Sequence, residues 1–270
     1  MANRIAELRE TVRNYGSVLV CFSGGVDSAL VLAVAVEQLG DRAAALTAVS
    51  PSLLDEERTL AESVARRLGA RHFIEASAEV DDPRYAANSV NRCYFCKSEL
   101  YAIASRVASA HHFATIANGT NQDDLGDHRP GLDAAREANV RSPMVDLAMS
   151  KQDVRDTAQA IGLEVWDKPA SACLSSRIPY GTAVTRERLT KVGNAELALR
   201  RLGFRQLRVR FHDAVARIEV SEAELERAFA MRREVSAAVR DAGFQYVTLD
   251  LDGYRTGSHN EVVRLRVLQS

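Results

Sequence analysis

A glycine-rich hexapeptide and three cysteines carry the residue types best suited to chemistry in this chain of 270 residues. Ser23-Gly24-Gly25-Val26-Asp27-Ser28 lies between an apolar run at 18–22 and a stretch at 29–38 that is apolar on nearly every side. Adjacent glycines let backbone amides turn inward as a nest, and a helix that starts there aims its positive end at the same spot, so phosphate oxygens fit. Ser23 and Ser28 add hydroxyl donors, and Asp27 can hold a magnesium ion that bridges the phosphates. A tight strand-to-helix turn would explain the glycines, but neither the hydroxyls nor the carboxylate. The spacing is not that of GxxxxGK[ST], and no lysine follows the glycines.

Cys93 and Cys96 stand three apart in Asn91-Arg-Cys-Tyr-Phe-Cys-Lys97, and Cys173 lies far downstream. Residues three apart in a first helical turn share a face, and a helix N-terminus favours the thiolate. A structural zinc site wants four closed ligands, and no histidine is adjacent to any of the three. A redox dithiol at Cys93 and Cys96 has no use for Cys173. Three thiolates can hold three irons of a [4Fe-4S] cluster and leave the fourth iron open. Spacing alone leaves cluster, zinc, dithiol and free thiols all open. Cys21, inside the apolar run, reads as a small core residue.

The elements that position these groups follow from periodicity. Strands are predicted at 18–22, 43–49, 72–76 and 113–118, alternating with helices at 5–15, 29–38, 53–68, 91–110 and 150–161. That alternation indicates a parallel sheet covered by helices on both faces, with ligands at the carboxyl ends of the strands. Ser150 and Asp153 have the spacing of an N-cap and its N3 carboxylate. The polar loop Asn118-Gly-Thr-Asn-Gln-Asp-Asp-Leu-Gly-Asp127 follows the last of these strands, where a second magnesium ligand or an adenylate contact would sit; Asp123, Asp124 and Asp127 are its carboxylates. The alternative is a solvated loop.

Residues 162–181 show neither period, yet they hold the one tryptophan, Trp166, and Cys173. They are read as a linker that floors an active site. The expected organisation is a first domain over 1–165, a linker over 166–184 and a smaller α+β domain over 185–270. In the latter, a helix at 185–202 carries Leu189, Val192, Leu199 and Leu202 on one stripe, with Glu196 among them. A carboxylate there must find an arginine or a ligand. A hairpin at 207–211 and 214–220 turns at His212-Asp213, and a helix at 222–240 and a strand at 245–251 complete the domain. Arg208 and Arg210 share the face opposite Leu207, Val209 and Phe211. Pattern favours a solvated face there over a grip on an anion.

A net charge of -1 and a pI near 6.6 supply no global field for nucleic acid. No run of about 18 apolar residues and no secretion signal is visible. The expectation is a cytoplasmic protein that engages neither nucleic acid nor membrane.

The SGGVDS loop resembles that of the PP-loop ATP pyrophosphatases, of the adenine nucleotide alpha hydrolase-like fold. That likeness implies adenylation, with release of pyrophosphate and AMP. Together with NRCYFCK, ANGTNQDD, DHRPGL, WDKPASACLSSRIPYG, LRVRFH, ARIEV and GYRTG, the loop resembles the LarE family of ATP-dependent sulfur transferases, which make the nickel-pincer nucleotide of lactate racemase. The resemblance spans almost the whole chain. It implies ATP, Mg2+ at the loop and Asp124, and a nucleotide substrate, pyridinium-3,5-biscarboxylic acid mononucleotide, whose carboxylates become thiocarboxylates. Keeping Cys93 and Cys96 beside Cys173 implies the [4Fe-4S] style of sulfur donation over sacrifice of Cys173. The resemblance places Lys97, Ser176, Arg177, Glu196, Arg208, Arg210, Glu219 and Arg255 around the substrate, which overrides the solvated-face reading. Lys97, Arg177, Glu196 and Cys173 take catalytic roles. It also implies a homo-oligomer such as a hexamer, with a sulfide source that the sequence does not identify. Competing readings are a tRNA thiolase, an ammonia-dependent amide synthetase, in which the three cysteines have no task, and a nucleotide-binding regulator without turnover.

Overall fold

Val18–Cys21 (β1) is buried along its whole length, as an all-apolar strand must be when both faces of its sheet are covered. A computed structural model describes residues 2–126, 130–169 and 171–255. Before β1 comes the helix Ala2–Arg13 (α1), and after it Val26–Leu39 (α2), Ala43–Val49 (β2), Asp55–Arg67 (α3) and Arg71–Ala76 (β3). Pro83–Ala86 (α4) is one short turn, and Arg92–Ala110 (α5), Thr115–Ala117 (β4), Pro130–Glu137 (α6), Pro143–Asp146 (α7) and Lys151–Ala160 (α8) follow. The sequence pattern anticipated the strands and the five longer helices to within a few residues, and missed α4, α6 and α7.

The four strands pair in parallel in the order β3-β2-β1-β4. Connections run outward from β1 to β3 and then return to the other side of β1, so the switch point lies at the carboxyl ends of β1 and β4. Alternation along β1 splits the core in two. Val18 and Val20 join Leu8, Leu30 and Met144 in one layer, whereas Leu19 and Cys21 join Tyr101, Val107 and Ala135 in the other. Cys21 is 8% exposed, the core residue its position suggested. Burial pushes its thiol up to about 12 against the opposing influence of Lys97, which keeps it protonated.

Chain packing defines two compact units, Met1–Glu79 with Asn91–Ser171, and Val80–Val90 with Ala172–Ser270. The segment that carries α4 thus leaves the first unit between β3 and α5, an excursion without a mark in composition.

The second unit continues with a 3-10 turn, Leu174–Arg177, then Arg186–Arg201 (α9), Leu207–His212 (β5), Val215–Val220 (β6), Leu225–Ala230 (α10), Arg232–Asp241 (α11) and Tyr246–Leu249 (β7). Its sheet runs β5-β6-β7, the first pair antiparallel and the second parallel. The hairpin turns at Asp213 and Ala214, one residue later than expected, because Asp213 takes the left-handed conformation (φ 52°) that a two-residue turn requires. The helix expected at 222–240 is three pieces, a 3-10 turn Glu222–Glu224, α10 and α11, and it breaks at Met231. Asp127, His128 and Arg129, and everything from Thr256 onward, including the end of the GYRTG stretch, lie outside the described residues. Among the described residues no helix is long and apolar enough to cross a membrane.

Ser150 accepts from the Asp153 amide and the Asp153 carboxylate accepts from the Ser150 amide, so α8 begins with the capping box its sequence announced. Replacing Ser150 with Ala should cost about 1 kcal/mol in urea unfolding, because the Asp153 amide loses its side-chain acceptor.

Candidate active site

The hexapeptide bridges β1 and α2 at the switch point. Gly24 has φ 73°, and a Cβ there would meet Ala61 of α3 at 3.0 Å, so both conformation and space call for glycine. Gly25 is the N-cap of α2 and offers no side-chain acceptor, which leaves first-turn amides available to an anion. Ser23 Oγ and Ser28 Oγ lie 3.2 Å apart, and Ser28 donates to the Gly25 carbonyl at 3.1 Å, so the hydroxyls hold the loop open.

The loop after β4 presses on the same turn. A Cβ on Gly119 would come within 2.6 Å of the Ser28 nitrogen and 2.9 Å of the Asp27 carbonyl carbon. Asn121, buried, donates from Nδ2 to Asp27 Oδ1 at 2.9 Å, and Lys151 Nζ reaches Asp27 Oδ2 at 2.6 Å. Asp124 Oδ2 accepts from the Asn121 amide at 3.2 Å, and Asp123 Oδ2 accepts from the Lys151 amide at 2.7 Å. The acidic loop therefore reaches Asp27 through Asn121 and Lys151, neither of which the sequence reading assigned a role. One signal pointed to Lys151: it opens α8, and a cation in a helical first turn opposes the helix dipole unless anions compensate.

Cys93 and Cys96 lie in the first turn of α5, the former exposed and the latter half-buried, both as free thiols. The start of α6 packs on this turn, since a Cβ on Gly131 would meet Lys97 Cγ at 2.9 Å. Burial is the largest influence on the Lys97 ammonium and lowers it. Tyr101, Cys96, Cys21 and Cys93 outweigh burial together and hold it above the ordinary lysine value. Lys97 nonetheless keeps solvent access. Tyr101 accepts from Asn118 Nδ2 at 3.3 Å, which links α5 to the end of β4.

In the second unit, Arg177 and Glu196 are 1% and 0% exposed. Arg177 Nε meets Glu196 Oε1 at 2.8 Å and Nη2 meets Oε2 at 3.1 Å, a bidentate pair. Arg177 Nη1 donates to the carbonyls of Ala172 (2.7 Å) and Cys173 (3.1 Å) and to Ser176 Oγ (2.9 Å). Every guanidinium nitrogen is occupied within the protein. Arg177 and Glu196, which the sequence reading set around the substrate, here hold the turn that carries Cys173. Cys173 itself is exposed.

Arg210 pairs with buried Glu219 through Nε (3.0 Å) and Nη2 (2.8 Å) and donates from Nη1 to the Ser176 carbonyl at 3.0 Å. Arg217 also reaches Glu219, at 3.1 Å. Arg210 is buried and Arg208 half-buried, so this stretch of β5 is not the solvated face that its pattern suggested. Arg208 stacks over the Tyr254 ring at 5.2 Å. Burial, and next the like charge of Arg177, pull Arg208 below an ordinary guanidinium, a strain that an anion would relieve. Arg255 is exposed and pairs with Asp252 at 3.6 Å.

Among the described residues, no group of three or more histidine, cysteine or carboxylate side chains is placed to hold a metal ion.

The asparagine synthase family model matches residues 7–115, the stretch that contains the loop and the cysteine helix. The chain is 38% identical over 264 residues to pyridinium-3,5-bisthiocarboxylic acid mononucleotide synthase of Lactiplantibacillus plantarum, covering 97% of this chain and 96% of that one. It is 44% identical over 265 residues to an uncharacterized protein of Synechocystis, covering 97% and 99% of the two. A third relative, an uncharacterized protein of Methanocaldococcus jannaschii, is 26% identical over 249 residues, covering 92% of this chain and 94% of its own. Loop, sheet and relatives define an ATP-dependent enzyme of the PP-loop superfamily. Within that class the chain belongs to the sulfur-transferase family of the pyridinium-3,5-bisthiocarboxylic acid mononucleotide synthases.

Two outcomes follow from this geometry. Removing the Lys151 cation by Lys151→Ala should lower ATP-dependent pyrophosphate release about 10- to 100-fold, the value of one charge-assisted bond, with little change in melting temperature. On the Glu196 carboxyl, burial acts upward, but the Arg177 charge and hydrogen bonds, the Val209 amide and Arg200 outweigh it and hold the group below the carboxylate range. Its stabilisation is complete above the unfolded value of about 4.3 and is lost as pH falls through the folded value, so the second unit should loosen in acid. Glu196→Ala should flatten that part of the pH–stability curve and cost about 3–5 kcal/mol by stranding a buried guanidinium.

Proposed function

We propose that this chain uses ATP to convert the carboxylates of pyridinium-3,5-biscarboxylic acid mononucleotide into thiocarboxylates. The observation that carries the reading is the uncapped N-terminus of α2 beside Asp27, Asn121 and Lys151, in a chain whose relative bears the matching synthase name over nearly its full length. A carboxylate is a poor electrophile because oxide would have to leave. In the first half-reaction a substrate carboxylate oxygen attacks the α-phosphorus of ATP, the bond to the bridging oxygen breaks, and pyrophosphate departs. The amides of Gly25 to Asp27 and the Lys151 ammonium face the charge that develops on it. Magnesium fits by donor chemistry, since it takes one or two carboxylates and completes its shell with phosphates and water, and Asp27 and Asp124 are the carboxylates at hand. In the second half-reaction a sulfur nucleophile attacks the activated acyl carbon and AMP leaves; the cycle repeats on the other carboxylate.

Cys93, Cys96 and Cys173 are the soft donors that would hold a [4Fe-4S] cluster, which supplies an open iron for the sulfide to be transferred. Lys97, charged and beside Cys93 and Cys96, stabilises the oxyanion formed at the acyl carbon. Arg208, with Ser176 and Arg255 nearby in the second unit, takes the substrate phosphate. Arg210 and Glu219 brace that side of β5. The working form is a cytoplasmic homo-oligomer.

Adding the pyridinium substrate should trigger pyrophosphate release from ATP; no release, or release driven equally by tRNA or by ammonia with another acceptor, would overturn the substrate assignment. Protein prepared without oxygen should be brown and lose that colour in Cys96→Ala. A colourless active preparation in which Cys173 loses its sulfur after turnover would instead assign the sulfur to that residue.

A further inference from the structure

Asn88 is fully buried, adopts a left-handed backbone (φ 54°), and plays no part in the chemistry above. Its single amide nitrogen, Nδ2, lies 2.8 Å from the Pro179 carbonyl, 2.8 Å from that of Thr182 and 3.3 Å from that of Ile178. Its own carbonyl accepts from the Gly181 amide at 3.0 Å, and the Ala86 carbonyl accepts from Val184 at 2.8 Å. Tyr85, one turn earlier, shares a 2.6 Å hydrogen bond with Ser175. The segment that follows Cys173 is thus wrapped around one side chain, while Arg177 grips the Ala172 and Cys173 carbonyls that precede it. Cys173 is exposed on a stretch pinned at both ends.

Loops between elements are ordinarily held by their own turns; this one is held by a segment about 90 residues earlier in sequence. That earlier segment runs directly into α5, with Asn88 five residues before Cys93 and eight before Cys96. We propose that Asn88 is a positioning residue for sulfur transfer: within the second unit, its amide fixes the segment that follows Cys173 to the strap at 80–90. The inference rests on the proposed function and deepens it, since a sulfur delivered to an acyl carbon must arrive within a fraction of an ångström of its productive place.

The test is Asn88→Gly, which keeps the left-handed backbone available and deletes only the clamp, alongside Asn88→Asp, which sets a carboxylate against three carbonyl oxygens. Substrate-dependent pyrophosphate release, thiocarboxylate yield and the rate at which Cys173 is alkylated by iodoacetamide are measured with the melting temperature. Positioning predicts that Asn88→Gly stays folded and releases pyrophosphate within about twofold of the parent. Its thiocarboxylate yield should fall at least tenfold, with altered alkylation of Cys173 and unaltered alkylation of Cys93. Asn88→Asp should do the same or worse. Unchanged thiolation in Asn88→Gly would overturn the proposal, and so would a parallel fall of both half-reactions, which marks a general loss of stability. If the parent protein releases no pyrophosphate with the pyridinium substrate, the functional reading fails, while the alkylation comparison still decides whether Asn88 governs Cys173.

Discussion

Glu196 is a carboxylate with no access to water, and the second unit is arranged around keeping it charged. A lone ion there would cost several kcal/mol, so the fold surrounds it with Arg177, Arg200 and the Val209 amide. Arg200 comes from α9 itself, and the other two tie different elements to that helix. Val209 brings β5 alongside, and Arg177 brings the 3-10 turn. Because Arg177 has donors left after meeting Glu196, the same charge that satisfies the helix also sets the carbonyls around Cys173. Stability and the placement of a reactive thiol are therefore one network, and a change that spares the cysteine can still displace it.

The first unit solves the opposite problem, since it must keep charge available. The amides at the head of α2 are left without a capping side chain, and Asp27 is held by an amide and an ammonium that approach from the β4 side of the switch point. Gly119 permits that approach by having no Cβ to collide with Ser28. The outcome is a site with donors for an anion and a carboxylate for a cation, assembled from loops at the carboxyl ends of two adjacent strands.

The sequence made legible what short-range chemistry dictates. The strand at 43–49, the helix that opens at the cysteine pair and the cap at Ser150 were read at their true positions, because apolar period and capping depend on neighbours a few residues apart. The need of Glu196 for a partner was legible too, since a carboxylate on an apolar stripe is a conflict visible in one helix. Its partner's inward role was not. The hydrogen-bond partners of Arg177 are spread from Ala172 to Glu196, and no local pattern separates a guanidinium that faces a ligand from one that faces the core. The same holds for Lys151 and Asn121, whose target lies 124 and 94 residues away. The break at Met231 has no proline or glycine to announce it. The arginines of β5 misled because alternation tells only which residues share a face, not whether that face is covered.

The early segment with Asn88 also orders events at birth. On the ribosome, Asn88 emerges about 90 residues ahead of the carbonyls its amide will hold, a lag of roughly 5–20 s at usual elongation rates. By then the strands of the first sheet as far as β4 have been synthesised and can pair, whereas the strap must wait, its amide answered only by water. A C-terminal fragment that begins at Ala172 would lack the strap altogether and leave the Pro179 and Thr182 carbonyls without their donor. The thiol at Cys173 is thus set in place late in synthesis, after the nucleotide loop has had time to form.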